Sequence, residues 1–154
     1  MPVIVRPAQP SDLPTLVDFN CHLARETEDK DLDCAIVEKG VSALLNDPNR
    51  GFYFVAQDSE SGEVVGQLQI TREWSDWRNG WFWWLQSVYV RADARKKGVF
   101  RQLHEHMEVQ ARTDPTVVGL RLYVEAENIA AQRVYQCLGL EQIPFRLYQK
   151  WPLD

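Results

Sequence analysis

Between Val88 and Leu103 the chain reads V-Y-V-R-A-D-A-R-K-K-G-V-F-R-Q-L, so a hydrophobic run passes through a basic bend with one glycine and enters a segment of helical apolar spacing. Anion binding is the chemistry this order suits. The first amides of a helix have no partner inside it, and together they carry about half a positive charge, so a diphosphate set there meets donors and favourable potential without a metal. Gly98 has no Cβ to hold such a group away from the backbone. Arg91, Arg95, Lys96, Lys97 and Arg101 add a compact basic spot to a chain of net charge −5. Basic triplets in isolation are usually solvated turns; the strand before and the helix after give this one its other meaning.

Other groups able to do chemistry are scattered. Asn128 can cap a helix that carries Tyr135, seven residues on and about two turns away on nearly the same face. Five tryptophans crowd Trp74–Trp84; strand alternation sends Trp81 and Trp83 to one face and Phe82 and Trp84 to the other, while Trp74 and Trp77 sit in or beside a turn. His22, His104 and His106 have no ligand spacing with acidic partners, and no metal is expected. Cys21, Cys34 and Cys137 are odd in number and lack C-x-x-C pairing, so they are expected as reduced thiols, Cys137 as a packing residue rather than an acyl carrier.

The elements that position these groups follow from period and punctuation. Val3–Val5 reads as a strand; Ser11-Asp12 offers a cap to a helix with Leu13, Leu16, Val17, Phe19 and Leu23 on one face; a second helix covers Cys34–Leu45. From Gly51 the period is two. Phe52–Gln57, Val64–Thr71 and Gly80–Val90 form three antiparallel strands joined at Asp58–Gly62 and at a turn ending in Asn79-Gly80. Val99, Leu103, Met107 and Ala111 step by four along a third helix, Val117–Val124 reads as a buried strand, Asn128–Gly139 holds a fourth helix, and Ile143, Phe145 and Leu147 alternate in a last strand. The order β-α-α-β-β-β-α-β-α-β is α/β, a mixed sheet flanked by helices, here read as one domain over residues 1–154.

Composition sets limits on this reading. At 45% hydrophobic and 25% charged residues the chain belongs with globular proteins, and its acidity argues against general nucleic-acid binding. No apolar run approaches the ~20 residues of a membrane span, and the start lacks a leader pattern, so no membrane is expected and a cytoplasmic site is.

The stretch Arg95-Lys96-Lys97-Gly98-Val99-Phe100 resembles the R/Q-x-x-G-x-G/A motif of the GNAT N-acetyltransferases, with Phe100 where that family usually has Gly or Ala. Asn128-x-x-Ala131-x-x-x-Tyr135-x-x-x-Gly139-Leu140 is similar to the same family's helix after its fifth strand. The resemblance spans nearly the whole chain. It implies acetyl-CoA as co-substrate and a primary amine of a small molecule or peptide as acceptor, joined by direct attack in a ternary complex. It also implies that Val88, Tyr89 and Val90 align the thioester, that Arg95, Lys96, Lys97, Gly98, Val99, Phe100 and Arg101 hold the diphosphate, that Asn128 meets the pantetheine arm, and that Tyr135 protonates the leaving thiolate. Glu26, Glu28, Glu73 and Glu125 are candidates for the base, and Trp74 and Trp77 for an acceptor pocket or a homodimer contact. A CoA-binding sensor or interaction module on the same fold is the alternative. The G-x-x-x-x-G-K-[ST] and G-x-G-x-x-G patterns of nucleotide sites are missing.

Overall fold

The computed structural model describes residues 1–154 and divides into two compact units, Met1–Leu122 and Tyr123–Asp154. The first unit holds five strands in spatial order β1-β2-β3-β4-β5: β1 (Val3–Pro7), β2 (Phe52–Asp58), β3 (Val64–Ser75), β4 (Gly80–Val90) and β5 (Val117–Arg121). The pairs from β1 to β4 are antiparallel and β4–β5 is parallel, reached through a helical crossover, so the sheet is mixed as expected.

Alternation along the strands sends side chains to two faces, each covered by helix. α3 (Val99–Thr113) lays Val99, Leu103, Met107 and Ala111 against Phe54, Leu68, Ile70, Trp83 and Leu85. The approach is close at Gly66, where a Cβ would stand 3.2 Å from both Leu103 and Val99. On the opposite face, α1 (Leu13–Glu28) and α2 (Cys34–Leu45) bury Leu16, Val41 and Leu44 with Tyr53 and Val55. Trp83 and the half-buried Trp81 belong to the α3 face, which is the expected fate of one tryptophan pair.

Several local expectations change in detail. Asp12 stands at the start of α1 but does not cap it with its side chain; the carboxylate accepts from Arg6 at 2.8 Å and from the Gln9 amide at 2.7 Å. Burial would raise the Asp12 pKa, and these two donors overcome that and hold it below the usual carboxylate range. Cys21 and Cys34 bring their sulfurs to 3.4 Å as thiols, and burial together with Cys34 pushes the Cys21 thiol up to about 11.

The second unit contains α4 (Ile129–Cys137), whose N-cap Asn128 accepts from the Ala131 amide at 3.2 Å and whose end is turned by Gly139 at φ +91°. The strand expected over Ile143–Lys150 is not formed: these residues join no ladder, and Phe145 and Tyr148 are exposed. Alternation fixes which side chains share a face but supplies no partner strand, and Pro144 cannot donate to a ladder. No helix is long and apolar enough to cross a membrane.

Candidate active site

β4 is where the two halves of the site begin. Its pairing with β3 runs Gln67↔Tyr89 and then Gln69↔Gln86, so β4 carries one extra residue, and Ser87 takes φ +45° in that bulge. Its pairing with β5 covers only Trp81–Trp84. From Leu85 to Val90 the side of β4 that faces β5 therefore has no strand beside it, and the sheet opens into a notch at the segment singled out from the sequence. Val88 and Val90 turn half-buried side chains onto the α3 core, while Tyr89 is buried against the Phe19 ring at 5.2 Å.

Past Val90 the chain makes a short 3-10 turn over Ala92–Ala94 and bends into α3 through two left-handed residues, Lys96 at φ +61° and Gly98 at φ +79°. Left-handed backbone costs an L-residue roughly 1–2 kcal/mol, which is why a glycine stands at one of the two. No atom lies within 4 Å of where a Gly98 Cβ would be, so the bend faces open space. In α3 the Gln102 amide reaches back to the Gly98 carbonyl at 3.1 Å, and the amides before it point out of the helix start. A cavity of about 220 Å³ lies here, lined by Val90, Ala94 and Arg95 and by Lys96 and Gly98–Arg101. Arg95, Lys96 and Gly98–Arg101 thus share one concavity, while Arg91 and Lys97 of the same basic segment do not line it. The Phe100 side chain tilts toward His104, with ring centroids 6.0 Å apart.

The charges of this bend are unequally engaged. Arg95 donates to Glu26 at 2.7 Å and to the Val90 carbonyl at 2.8 Å, and its guanidinium lies 5.3 Å from the Tyr89 ring centre. It ties the end of α1 to the end of β4, and Glu26 is correspondingly a partner of Arg95. Arg91 pairs with Asp93 and Glu63, and Arg101 with Glu105. The ion pairs of the segment fall on its arginines, which leaves Lys96 and Lys97 as the ammonium groups outside them.

A second cavity, about 430 Å³, opens on the other face between α1, α2 and the β4 bulge. A chain of amides forms its polar floor. Gln67, fully buried, donates to the Ser87 carbonyl at 2.8 Å and to Asn20 Oδ1 at 3.3 Å. Asn20 Nδ2 donates to the Leu16 carbonyl at 2.9 Å and to the Tyr53 hydroxyl at 3.2 Å, and Gln69 reaches the same hydroxyl at 3.0 Å. Because carbonyls only accept, Ser87 and Leu16 fix both the Gln67 and Asn20 amides. The Tyr53 oxygen accepts from two sides, so its own proton is the one left to donate. Burial pushes this phenol up, against the pull of Asn20 and Gln69. The Gln67 Oε1 has no partner.

Asn20, Tyr53, Gln67, Gln69 and Ser87 were not reached from the sequence. They come from α1 and three strands with no common motif; the one trace was Asn20 on the apolar stripe four residues after Leu16. Conversely, Glu73, Trp74 and Trp77 do not line either cavity. Glu73 accepts from Trp84 Nε1 at 3.1 Å and Arg121 at 2.8 Å, and Trp74 stacks edge-on with Trp81 at 4.9 Å. Glu73 pairs with Phe82, five positions before Ser87 and so roughly 16 Å along the strand. Trp77 lies at the hairpin tip, 89% exposed. In the second unit, Tyr135 is half-buried, and burial pushes its phenol above the ordinary value.

The sequence model of the GNAT acetyltransferase family matches residues 16–140, through both units. The crystal structure of a possible acetyltransferase from Clostridium difficile 630 is similar at 42% identity and TM-score 0.92, covering 99% of each chain. A second structure, of a probable acetyltransferase, is 23% identical with TM-score 0.84, over 100% of this chain and 99% of that one. Arabidopsis thaliana NAA60 in complex with a bisubstrate analogue is 18% identical with TM-score 0.70, over 92% and 85% of the two chains; at such identities the likeness speaks for the fold. No curated protein matches the sequence. The chain belongs to the GNAT acetyltransferase family, and acyl transfer is the class of reaction that membership assigns to it.

Proposed function

We propose that this protein moves an acetyl group from acetyl-CoA to a primary amine by direct attack in a ternary complex. The observation that carries the reading is the left-handed bend at Lys96–Gly98, which sets the open start of α3 and the Lys96 side of the bend around one cavity beside the β4 notch, with Lys97 next in the chain. Backbone amides at Gly98–Arg101 would take the diphosphate oxygens, with Lys96 and Lys97 supplying charge. Phe100 keeps its main-chain amide, so the missing second glycine removes no donor. The Val88–Val90 backbone, on the side without a strand neighbour, is available to align the thioester and to donate to an oxyanion.

In the reaction the amine nitrogen bonds to the acetyl carbon and the carbon–sulfur bond breaks; the nitrogen gives up a proton and the sulfur takes one. Tyr135, whose phenol carries its proton at neutral pH, is the donor to sulfur that the family resemblance implies, and Asn128 is the pantetheine contact. Titration calorimetry with acetyl-CoA, followed by thiol release across an amine panel, tests the reading. Binding with turnover is expected, and Tyr135→Phe should lower kcat on the order of a hundredfold without changing acetyl-CoA affinity. Absence of acetyl-CoA binding at near-millimolar concentration removes the proposal, and binding without thiol release for any amine replaces it with a CoA-binding module.

A further inference from the structure

The α1–α2 cavity has a chemical character that selects among amines. Its walls are apolar, from Leu23, Leu32, Ile36, Val37 and Val41, and its lining contains no lysine, arginine or histidine. One carboxylate, Glu28, lines it; that side chain is 47% exposed and pairs loosely with Lys30 at 3.5 Å. The floor at Ser87 is polar but uncharged, being made of Asn20, Tyr53 and Gln69. Gly40 lines the same cavity from the middle of α2, and a Cβ built there meets nothing within 4 Å. Glycine is among the poorest helix formers, and here its place is matched by open room rather than by a tight neighbour.

Resting on the acetyl-transfer reading, we propose that this cavity takes the acceptor as a primary amine on an apolar body that carries no anionic group. A carboxylate on the acceptor would lose part of its hydration against aliphatic walls, of which Leu32 and Ile36 form the exposed rim, with no cation in the lining to meet it, which is unfavourable. A polyamine would need a second and third anion beyond Glu28 and would leave the leucine, isoleucine and valine surface uncovered. An apolar monoamine covers that surface and enters past a single carboxylate. It then presents nitrogen at an uncharged floor, where desolvation lowers the ammonium pKa and so eases loss of its proton. The attacking form of an amine is the neutral one.

The test compares 2-phenylethylamine, phenylalanine (the same body with a carboxylate) and spermidine as acceptors with the full-length protein at fixed acetyl-CoA. The expected result is a kcat/KM for 2-phenylethylamine at least about tenfold above the other two. Gly40→Leu should raise its KM at least about tenfold while leaving acetyl-CoA affinity and melting temperature undiminished, since leucine favours helix more than glycine. Ile36→Lys should shift preference toward phenylalanine. Preference of the wild type for phenylalanine or spermidine, or a Gly40→Leu variant with wild-type KM, overturns the proposal. Methyl NMR of Ile36, Val37 and Val41 reads amine binding without turnover. Shifts with 2-phenylethylamine but no thiol release would remove acetyl transfer and leave the cavity's ligand class standing. Thiol release with a charged acceptor preferred would remove the class and leave transfer.

Discussion

Tyr53 and Phe54 are neighbours on β2, and they end in different surroundings. Phe54 meets Phe52 and His106 edge-on under α3, at ring distances of 5.3 and 5.1 Å, in a core filled by Leu103 and Met107 at 0% exposure. Tyr53 is as deeply buried, yet its hydroxyl joins an amide chain that ends at a bulged strand, and a cavity lies beyond it. Along the body of α3 the sheet face is filled and, His104 aside, apolar; the other face keeps a chain of polar groups and a larger space. The sealed face fixes where β4 and the start of α3 stand, and the open face is where a second reactant can reach them.

The two faces should respond differently to substitution. Leu103→Ala, in the sealed core, is expected to cost about 2–5 kcal/mol in urea unfolding, because a filled core relaxes only partly around a cavity. If it costs little, the α3 face is not the rigid support described. Gln67→Leu on the open face removes the donor that holds the Ser87 carbonyl and Asn20. It should cost about 1–3 kcal/mol and lower kcat more than it raises the KM for acetyl-CoA; unchanged kcat would mean that the amide chain does not position the bulge. Gly98→Val should destabilise by about 1–2 kcal/mol through left-handed strain, and calorimetry should show weaker acetyl-CoA binding.

A smaller effect separates the faces by pH. His104 is buried on the α3 side with Nε2 unpartnered, and burial holds its pKa below the ordinary 6.5, against the opposing pull of Glu108 and Glu105. The folded state resists protonation there while the unfolded state accepts it, so this contribution is complete above the unfolded pKa and is lost as pH falls from about 6.5 toward the folded value. Thermal melts between pH 7 and 5 should show a steeper decline for the wild type than for His104→Leu. Trp77→Ala, at the exposed hairpin tip, should change stability by less than about 0.5 kcal/mol and leave acceptor KM unmoved. A raised KM would return the tryptophan cluster to the acceptor site.

Much of this arrangement was legible because it is written in consecutive residues. The helix over Cys34–Leu45, the strand over Gly80–Val90 and the bend before Val99 depend on local period, caps and glycine, and each stands where those signals put it. The strand expected at Ile143–Lys150 did not form because pairing needs a partner that alternation cannot supply. Cys21 and Cys34, read as separate thiols, meet because α1 and α2 pack side by side.

By itself the sequence determined the family, the order of elements through α4 and the cationic bend, since backbone geometry over a few residues follows from side-chain type. Only the tertiary structure decided that Arg95 is held by Glu26, that Ser87 bulges over Gln67, and that Asn20 and Tyr53 floor one cavity while Glu73 and Trp77 lie elsewhere. Those relations join residues as many as 69 positions apart, and a hydrogen bond or a cavity wall depends on where packing brings two side chains, which neither residue encodes alone.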